Sequence, residues 1–119
     1  MDDRIRTRLK GLMGLSVRAG QATFGQDSCL SQMRKETCSV LLLDETASAN
    51  TRGMYENAAH THGIPLFLLP EGLLFEATGR PGVAMAVGKG GLGTQILQLQ
   101  SEQGSETIQQ IISGGAYVE

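Results

Sequence analysis

Two glycine-containing segments of the sequence have the residue types that bind anions. The first is the turn at Gly25, which separates a strand pattern over residues 21–24 from a helical pattern that begins at Gln26. A glycine at such a turn adopts positive φ without steric cost and lets a ligand approach the free N–H groups of the following helix. The sequence therefore predicts a place at Gly25 where an anionic group can bind.

The second segment is the glycine-rich run of residues 88–94, Gly-Lys-Gly-Gly-Leu-Gly-Thr. It follows a strand pattern and opens a helix, which is the setting of a phosphate-binding loop. The Walker pattern requires a lysine directly before the serine or threonine. Here Gly93 precedes Thr94, and the lysine is Lys89. We therefore expect a glycine-rich turn that binds no nucleotide specifically, and a protein without a nucleotide cofactor.

Three other pairs of side chains have types found in metal or catalytic sites: His60 and His62, Asp44 and Glu45, and Cys29 and Cys38. The histidines are two residues apart, which on a helix points them to different sides and disfavours a shared metal. The acidic pair ends a strand pattern without a base or nucleophile nearby in the sequence, so we expect it to form a turn and cap. The cysteines form no CxxC pair and fit reduced, buried thiols. The sequence therefore predicts no catalytic residues, no metal site and no enzyme activity.

Length, charge and hydropathy narrow the class of protein further. A chain of 119 residues can bury about two thirds of its unfolded surface and fold without metals or disulfides. The longest apolar run, residues 40–43, is far shorter than the ~20 residues of a membrane span. Nothing at the N-terminus resembles a signal peptide. We expect a soluble cytoplasmic protein that does not interact with membranes.

The charge is distributed unevenly along the chain. The formal net charge is −2, whereas generic nucleic-acid binders carry a basic excess. Basic residues concentrate in the first 18 residues, and the segment from residue 101 onward carries acidic side chains but no lysine or arginine. Of the two ends of the chain, only the N-terminal one has a charge that favours phosphate.

Hydrophobic periodicity predicts alternating helices and strands. Residues 3–18 form a helix pattern with an apolar stripe, preceded by acidic residues at its start and followed by Gly20 at its end. Further strands are predicted at residues 21–24, 40–43, 64–69 and 83–87, and further helices at residues 26–35, from Thr46 or Ser48 to Gly63, at 71–78 and at 91–99. This alternation predicts an α/β fold, a three-layer α-β-α sandwich with a mixed sheet of about four strands.

The last part of the chain does not fit this compact domain. We expect a domain over residues 1–100 and a short helical appendage over residues 101–119. Ser105 fits the cap of a two-turn helix that carries Ile108, Ile111 and Ile112 and is followed by Tyr117. Isoleucines at helical spacing usually dock, here on this chain, on a second copy in a homodimer, or on a protein partner.

Segments spread over residues 9–99 resemble a compact RNA-binding ribosomal superfamily, the L-seven-Ae, L-thirty-e, S-twelve-e and Gadd-forty-five group. The similar segments are the Arg-Ala-Gly block with its later glycine at residues 18–25, the strand with its acidic pair at 40–45, the helix entry at 47–52, and the closing strands around 63–65 and 79–87. The likeness is strongest to the short bacterial ribosomal-protein-like members.

The resemblance implies a non-catalytic protein that binds structured RNA, associated with ribosomes or other internal-loop RNA and commonly with kink-turns. In the family, RNA lies on the helix start after the first glycine and beside the loop before the last strand. The corresponding residues here are Gly25, Gln26, Asp27, Ser28 and Ser31 at the helix start, Arg80, Pro81, Gly82 and Val83 in the loop, and Arg52 nearby.

The polar residues of the kink-turn pattern are replaced in this sequence. Asp27 stands where the pattern has asparagine or lysine, Ser28 where it has glutamate or glutamine, and Ser31 where it has lysine. A carboxylate in the first helical turn competes with phosphate for the free N–H groups and repels it. We therefore expect weakened or altered kink-turn recognition. The alternative is an interaction or dimerisation module of the same fold that has lost RNA binding.

Overall fold

The structure, a computed structural model, describes the backbone of residues 1–113 and the side chains of residues 1–103. Helices and strands alternate along this part of the chain, as the hydrophobic periodicity predicts. In chain order the elements are α1 (Asp3–Arg18), β1 (Ala22–Phe24), α2 (Gln26–Arg34), β2 (Cys38–Asp44), α3 (Ala49–His62), β3 (Leu66–Leu69), α4 (Leu73–Thr78), β4 (Ala84–Gly88) and α5 (Gly91–Ser113).

The strands form one mixed sheet with the order β1-β4-β2-β3. Strand β2 pairs in parallel with β3 and antiparallel with β4, and β1 pairs antiparallel with β4. In the β1–β4 ladder, Phe24 lies opposite Met85. The end of β1 and the start of β4 therefore meet at one end of the sheet, which brings Gly25 close to the loop before β4.

Two hydrophobic clusters lie on the two faces of this sheet. Side chains of α1, α4 and α5 pack with Val40 and Leu42 on one face. Side chains of α2 and α3 pack with Leu41 and Leu43 on the other. Because β2 is covered on both faces, it is a nearly continuous apolar segment instead of an alternating one. The three-layer α-β-α sandwich with a four-stranded mixed sheet is confirmed.

The helix ends follow the local sequence signals. Asp2 caps α1 by accepting a hydrogen bond from the Ile5 N–H at 2.8 Å. Of the two predicted caps of α3, the structure uses Ser48, which accepts from the Thr51 N–H at 3.2 Å. Gly63 ends α3 in the left-handed conformation, with φ of 65°. These caps hold α1 and α3 at the lengths that the sequence predicts.

The last helix is longer than predicted. The sequence predicts its end at residue 99 and a separate capped start at Ser105, but α5 continues without a break to Ser113. A single glycine inside a helix costs only about 1 kcal/mol, so Gly104 does not interrupt it. The side chains of Ile108, Ile111 and Ile112, and Tyr117, lie outside the described residues. The division into residues 1–100 and 101–119 stays a prediction.

Candidate functional site

The first turn of α2 has free backbone donors. Gly25 precedes the helix with φ of 90°, a conformation that side-chain-bearing residues rarely adopt, and no side chain caps the helix. The first hydrogen bond of the turn runs from the Cys29 N–H to the Gly25 carbonyl oxygen at 2.9 Å. The N–H groups of residues 26–28 precede it and have no intrahelical partner. They are available to an anion or a hydrogen-bond acceptor.

The start of this turn, Gly25 and Gln26, lines a groove that includes the loop before β4. The groove has a volume of about 240 Å³, and we call it the Gly25 groove; its lining residues are Gly25, Gln26, Thr51, Tyr55, Pro81, Gly82, Val83 and Ala84. Two predicted groups of residues, one from the helix start and one from the loop, meet in it. They are far apart in sequence and adjacent in space because β1 and β4 pair antiparallel.

The remaining residues of the predicted helix start face a different groove. It lies along α2 beside the edge strand β1, has a volume of about 360 Å³, and is called the α2 groove here; it is lined by Thr23, Asp27, Ser28, Ser31, Gln32, Lys35 and Thr37. The first turn of α2 therefore lies between two grooves. The sequence predicts one contact surface at this turn and does not show its division.

The two predicted arginines lie outside both linings. Arg52 donates from Nε to a Glu56 carboxylate oxygen at 3.1 Å, an exposed pair one helical turn apart on α3. The Arg80 guanidinium stacks over the Phe24 ring, 4.4 Å from its centroid. A cation on an aromatic ring keeps its outward N–H groups free for other acceptors. Stacking holds Arg80 beside Gly25, whereas Arg52 is engaged by an acidic neighbour.

Tyr55 is a groove residue that sequence reasoning missed. Its helical spacing with Ala59 predicts a core residue, and the side chain is indeed only 2% exposed. Burial, together with the neighbouring Cys29 and Asp27, raises the pKa of the Tyr55 hydroxyl to about 12. The hydroxyl is therefore neutral at physiological pH. No periodic signal distinguishes a core tyrosine from one at the floor of a groove, because both lie on the same helix face.

The acidic pair at the end of β2 has the structural role that the sequence predicts. Asp44 accepts hydrogen bonds from the Thr46 N–H at 2.8 Å and from the Gly72 N–H at 3.0 Å. Burial raises the pKa of Asp44, but the hydrogen bonds from Thr46 and Gly72 lower it by more, so the net shift is downward. Glu45 accepts from the Glu71 N–H at 3.4 Å. Both carboxylates are used to hold the turn after β2 and the loop before α4.

The glycine-rich turn is shaped by close packing. A Cβ on Gly93 would lie 2.6 Å from Ser39 Oγ and 3.0 Å from the Gly88 carbonyl oxygen. The Ser39 hydroxyl already donates to that carbonyl at 3.0 Å, and the Thr94 hydroxyl donates to the Gly90 carbonyl at 3.1 Å. These hydroxyls are occupied within the protein, and Gly93 lets α5 approach β2.

The described residues contain neither a cluster of metal-ligating side chains nor a helix that could span a membrane. In that part of the chain, no three histidine, cysteine or acidic side chains cluster around a point that could hold a metal ion. His60 and His62 both lie in the last turn of α3. Burial raises the pKa of the Cys29 thiol to about 11. Over the same residues, no helix has the length and apolar character needed to cross a bilayer.

The comparisons with known proteins concern both sequence and fold. No protein-family model matches the chain. The chain is 26% identical to the RNA-binding protein YlxQ of Enterococcus faecium over 82 residues, which are 68% of this chain and 80% of that protein. This distant sequence similarity supports the superfamily resemblance and identifies no particular member.

Two solved structures share the fold. A protein of unknown function from Bacillus halodurans superposes with a TM-score of 0.73 at 20% identity, over 78% of this chain and 96% of its own. The 15.5 kD RNA-binding protein of Giardia lamblia superposes with a TM-score of 0.71 at 15% identity, over 86% of this chain and 89% of its own. At these identities the structural matches establish the three-layer fold and nothing beyond it.

Proposed function

We propose that this protein is a small, non-catalytic RNA-binding protein of the cytoplasm. The observation that carries the proposal is the Gly25 groove, where Gly25 and Gln26 at the uncapped start of α2 meet the loop at residues 81–83. Similarity to YlxQ, which is named as an RNA-binding protein, supports the same conclusion. The RNA would lie over the start of α2, with Gly25, Gln26, Pro81, Gly82 and Val83 on one side.

The chemistry of this surface favours recognition of shape over charge. Backbone N–H groups and the hydroxyls of Ser28 and Ser31 can position phosphate and ribose oxygens, including the 2′-OH. They supply little of the electrostatic attraction that dominates affinity for nucleic acids. Arg52 is paired with Glu56, and Asp27 adds a negative charge at the helix start. We therefore propose weak, shape-selective binding to structured RNA with a shallow dependence on salt.

A charge substitution on α2 tests this proposal. The double variant Asp27→Asn/Ser31→Lys removes a carboxylate from the helix start and adds a cation one turn later. We expect it to bind a kink-turn RNA more tightly than the wild type does, and with a steeper salt dependence, because each new phosphate contact adds about 0.7–0.9 to the slope of log K against log salt. The measurement is a titration of both proteins against a kink-turn RNA and a plain duplex over a salt series.

The matched control is Asp3→Asn/Ser101→Lys. It makes the same charge change on α1 and α5, which cover the opposite face of the sheet. We expect no gain for this control. An equal gain in RNA affinity in both double variants would mean that net charge alone sets the affinity. Tight, specific kink-turn binding by the wild type would contradict the weak contacts proposed here.

Loss of RNA binding is the other outcome that the experiment can identify. If the wild type bound neither total ribosomal RNA nor the kink-turn at low salt, and the double variant gained nothing, the RNA-binding proposal would be wrong. The surface would then belong to an interaction module that docks on a protein or on a second copy of the chain.

A further inference from the structure

The α2 groove has a cation, whereas the Gly25 groove has none. Lys35 is the only lysine or arginine among the residues that line either groove. It lies at the C-terminal end of α2, and within the described part of the chain its ammonium group has no ion-pair partner. Among the residues that line the two grooves, a ligand that needs a cation would have to take it from Lys35.

The same groove contains unengaged hydroxyl donors in line with this cation. Among the described residues, Ser28 and Ser31 make no side-chain hydrogen bond, and both line the groove together with Lys35. The three positions are i, i+3 and i+7 on α2, so they share one helix face and extend over about 10 Å along the axis. Hydroxyls and an ammonium on one face are donors suited to phosphate and ribose oxygens.

The acidic residue of the groove lies at its other end. Asp27 precedes Lys35 by eight residues, about 12 Å along a helix axis. That separation exceeds the Debye length of about 8 Å at physiological ionic strength. A phosphate beside Lys35 therefore feels its attraction with little of the repulsion that Asp27 exerts at the start of the helix.

We propose that the α2 groove binds an RNA phosphate at Lys35, so that the RNA contact surface continues from the Gly25 groove along α2 to its C-terminal end. The proposal rests on the proposed RNA-binding function and adds the residue that provides the electrostatic part of the affinity. Ser28 and Ser31 donate to the backbone oxygens between the two grooves.

The test compares Lys35→Gln with Arg34→Gln in titrations against the kink-turn RNA over a salt series. Both variants remove one positive charge at the same end of α2, but Arg34 lines neither groove. We expect Lys35→Gln to reduce the slope of log K against log salt by about 0.7–0.9 and to weaken binding about fivefold at 0.1 M salt, the contribution of one phosphate contact. Arg34→Gln and Lys35→Arg should both keep the wild-type slope and the wild-type affinity.

The outcomes separate this inference from the function on which it rests. Suppose that the wild type binds RNA. If Lys35→Gln then keeps the wild-type slope of log K against log salt, or if Lys35→Gln and Arg34→Gln lose the same amount of affinity and slope, the proposed Lys35 contact is wrong and RNA binding stands. If the wild type does not bind RNA, the proposed function itself fails. Thermal unfolding followed by circular dichroism shows whether the variants fold. Should Lys35→Gln unfold, protection of Lys35 from acetylation in the wild-type complex decides: protection supports the contact, and unchanged reactivity overturns it.

Discussion

Replacing Gly93 with alanine tests whether packing shapes the glycine-rich turn. The new Cβ would lie 2.6 Å from Ser39 Oγ, 2.7 Å from Ser39 Cβ and 3.0 Å from the Gly88 carbonyl oxygen. Ser39 belongs to the central strand β2 and is hydrogen-bonded to that same carbonyl. Neither neighbour can move without disturbing the sheet, so α5 must shift instead.

The expected loss follows from two opposing contributions. Overpacking a tight site costs about 1–3 kcal/mol, whereas alanine in place of glycine favours a helix by about 1 kcal/mol. We expect Gly93→Ala to lower the free energy of unfolding by about 1 kcal/mol, measured by urea denaturation. For a domain of this size that corresponds to a drop in Tm of about 4 °C.

Two variants make the test specific to the contact. Gly53 lies inside α3 with no atom within 4 Å of an added Cβ, so Gly53→Ala should raise the free energy of unfolding by up to about 1 kcal/mol. Adding Ser39→Gly to Gly93→Ala removes the two shortest contacts and should reduce the loss relative to Ser39→Gly alone. If Gly93→Ala stabilised the protein as Gly53→Ala does, the packing explanation of this glycine would be refuted.

Three further predictions concern pH, nucleotides and the end of the chain. The pKa of Asp44 is lowered in the folded protein, so its contribution to stability is present above the usual aspartate range and is lost as the pH falls through the folded pKa; Asp44→Asn should flatten the acid side of a stability–pH curve measured by urea denaturation. Calorimetry with ATP or GTP and magnesium should show no specific binding, and a micromolar signal abolished by Lys89→Ala would reverse that conclusion. Truncation after Gln100 should lower the Tm or change the oligomer size in light scattering, because the removed isoleucines are expected to be packed; an unchanged Tm and size would indicate that they are not.

The sequence by itself predicts most of the secondary structure and the layer arrangement. The stripe on α1, the cap at Ser48 and the apolar run of β2 are local signals, because helix and strand periods and capping geometry depend on neighbouring residues. The same locality explains the error in α5. A glycine, a polar stretch and a serine at residues 101–105 resemble a helix end followed by a new start, although a continuous helix tolerates them.

Only the tertiary structure decides how the candidate site is assembled. The strand order brings Gly25 beside residues 81–83, α3 places Tyr55 under them, and the first turn of α2 separates two grooves. Sequence reasoning names Ser28, Ser31 and the loop residues, but does not identify Tyr55 or Lys35. These arrangements depend on contacts between residues that are distant in the chain. The burial of both faces of one sheet determines which of these residues meet, and such contacts leave no periodic signal in the sequence.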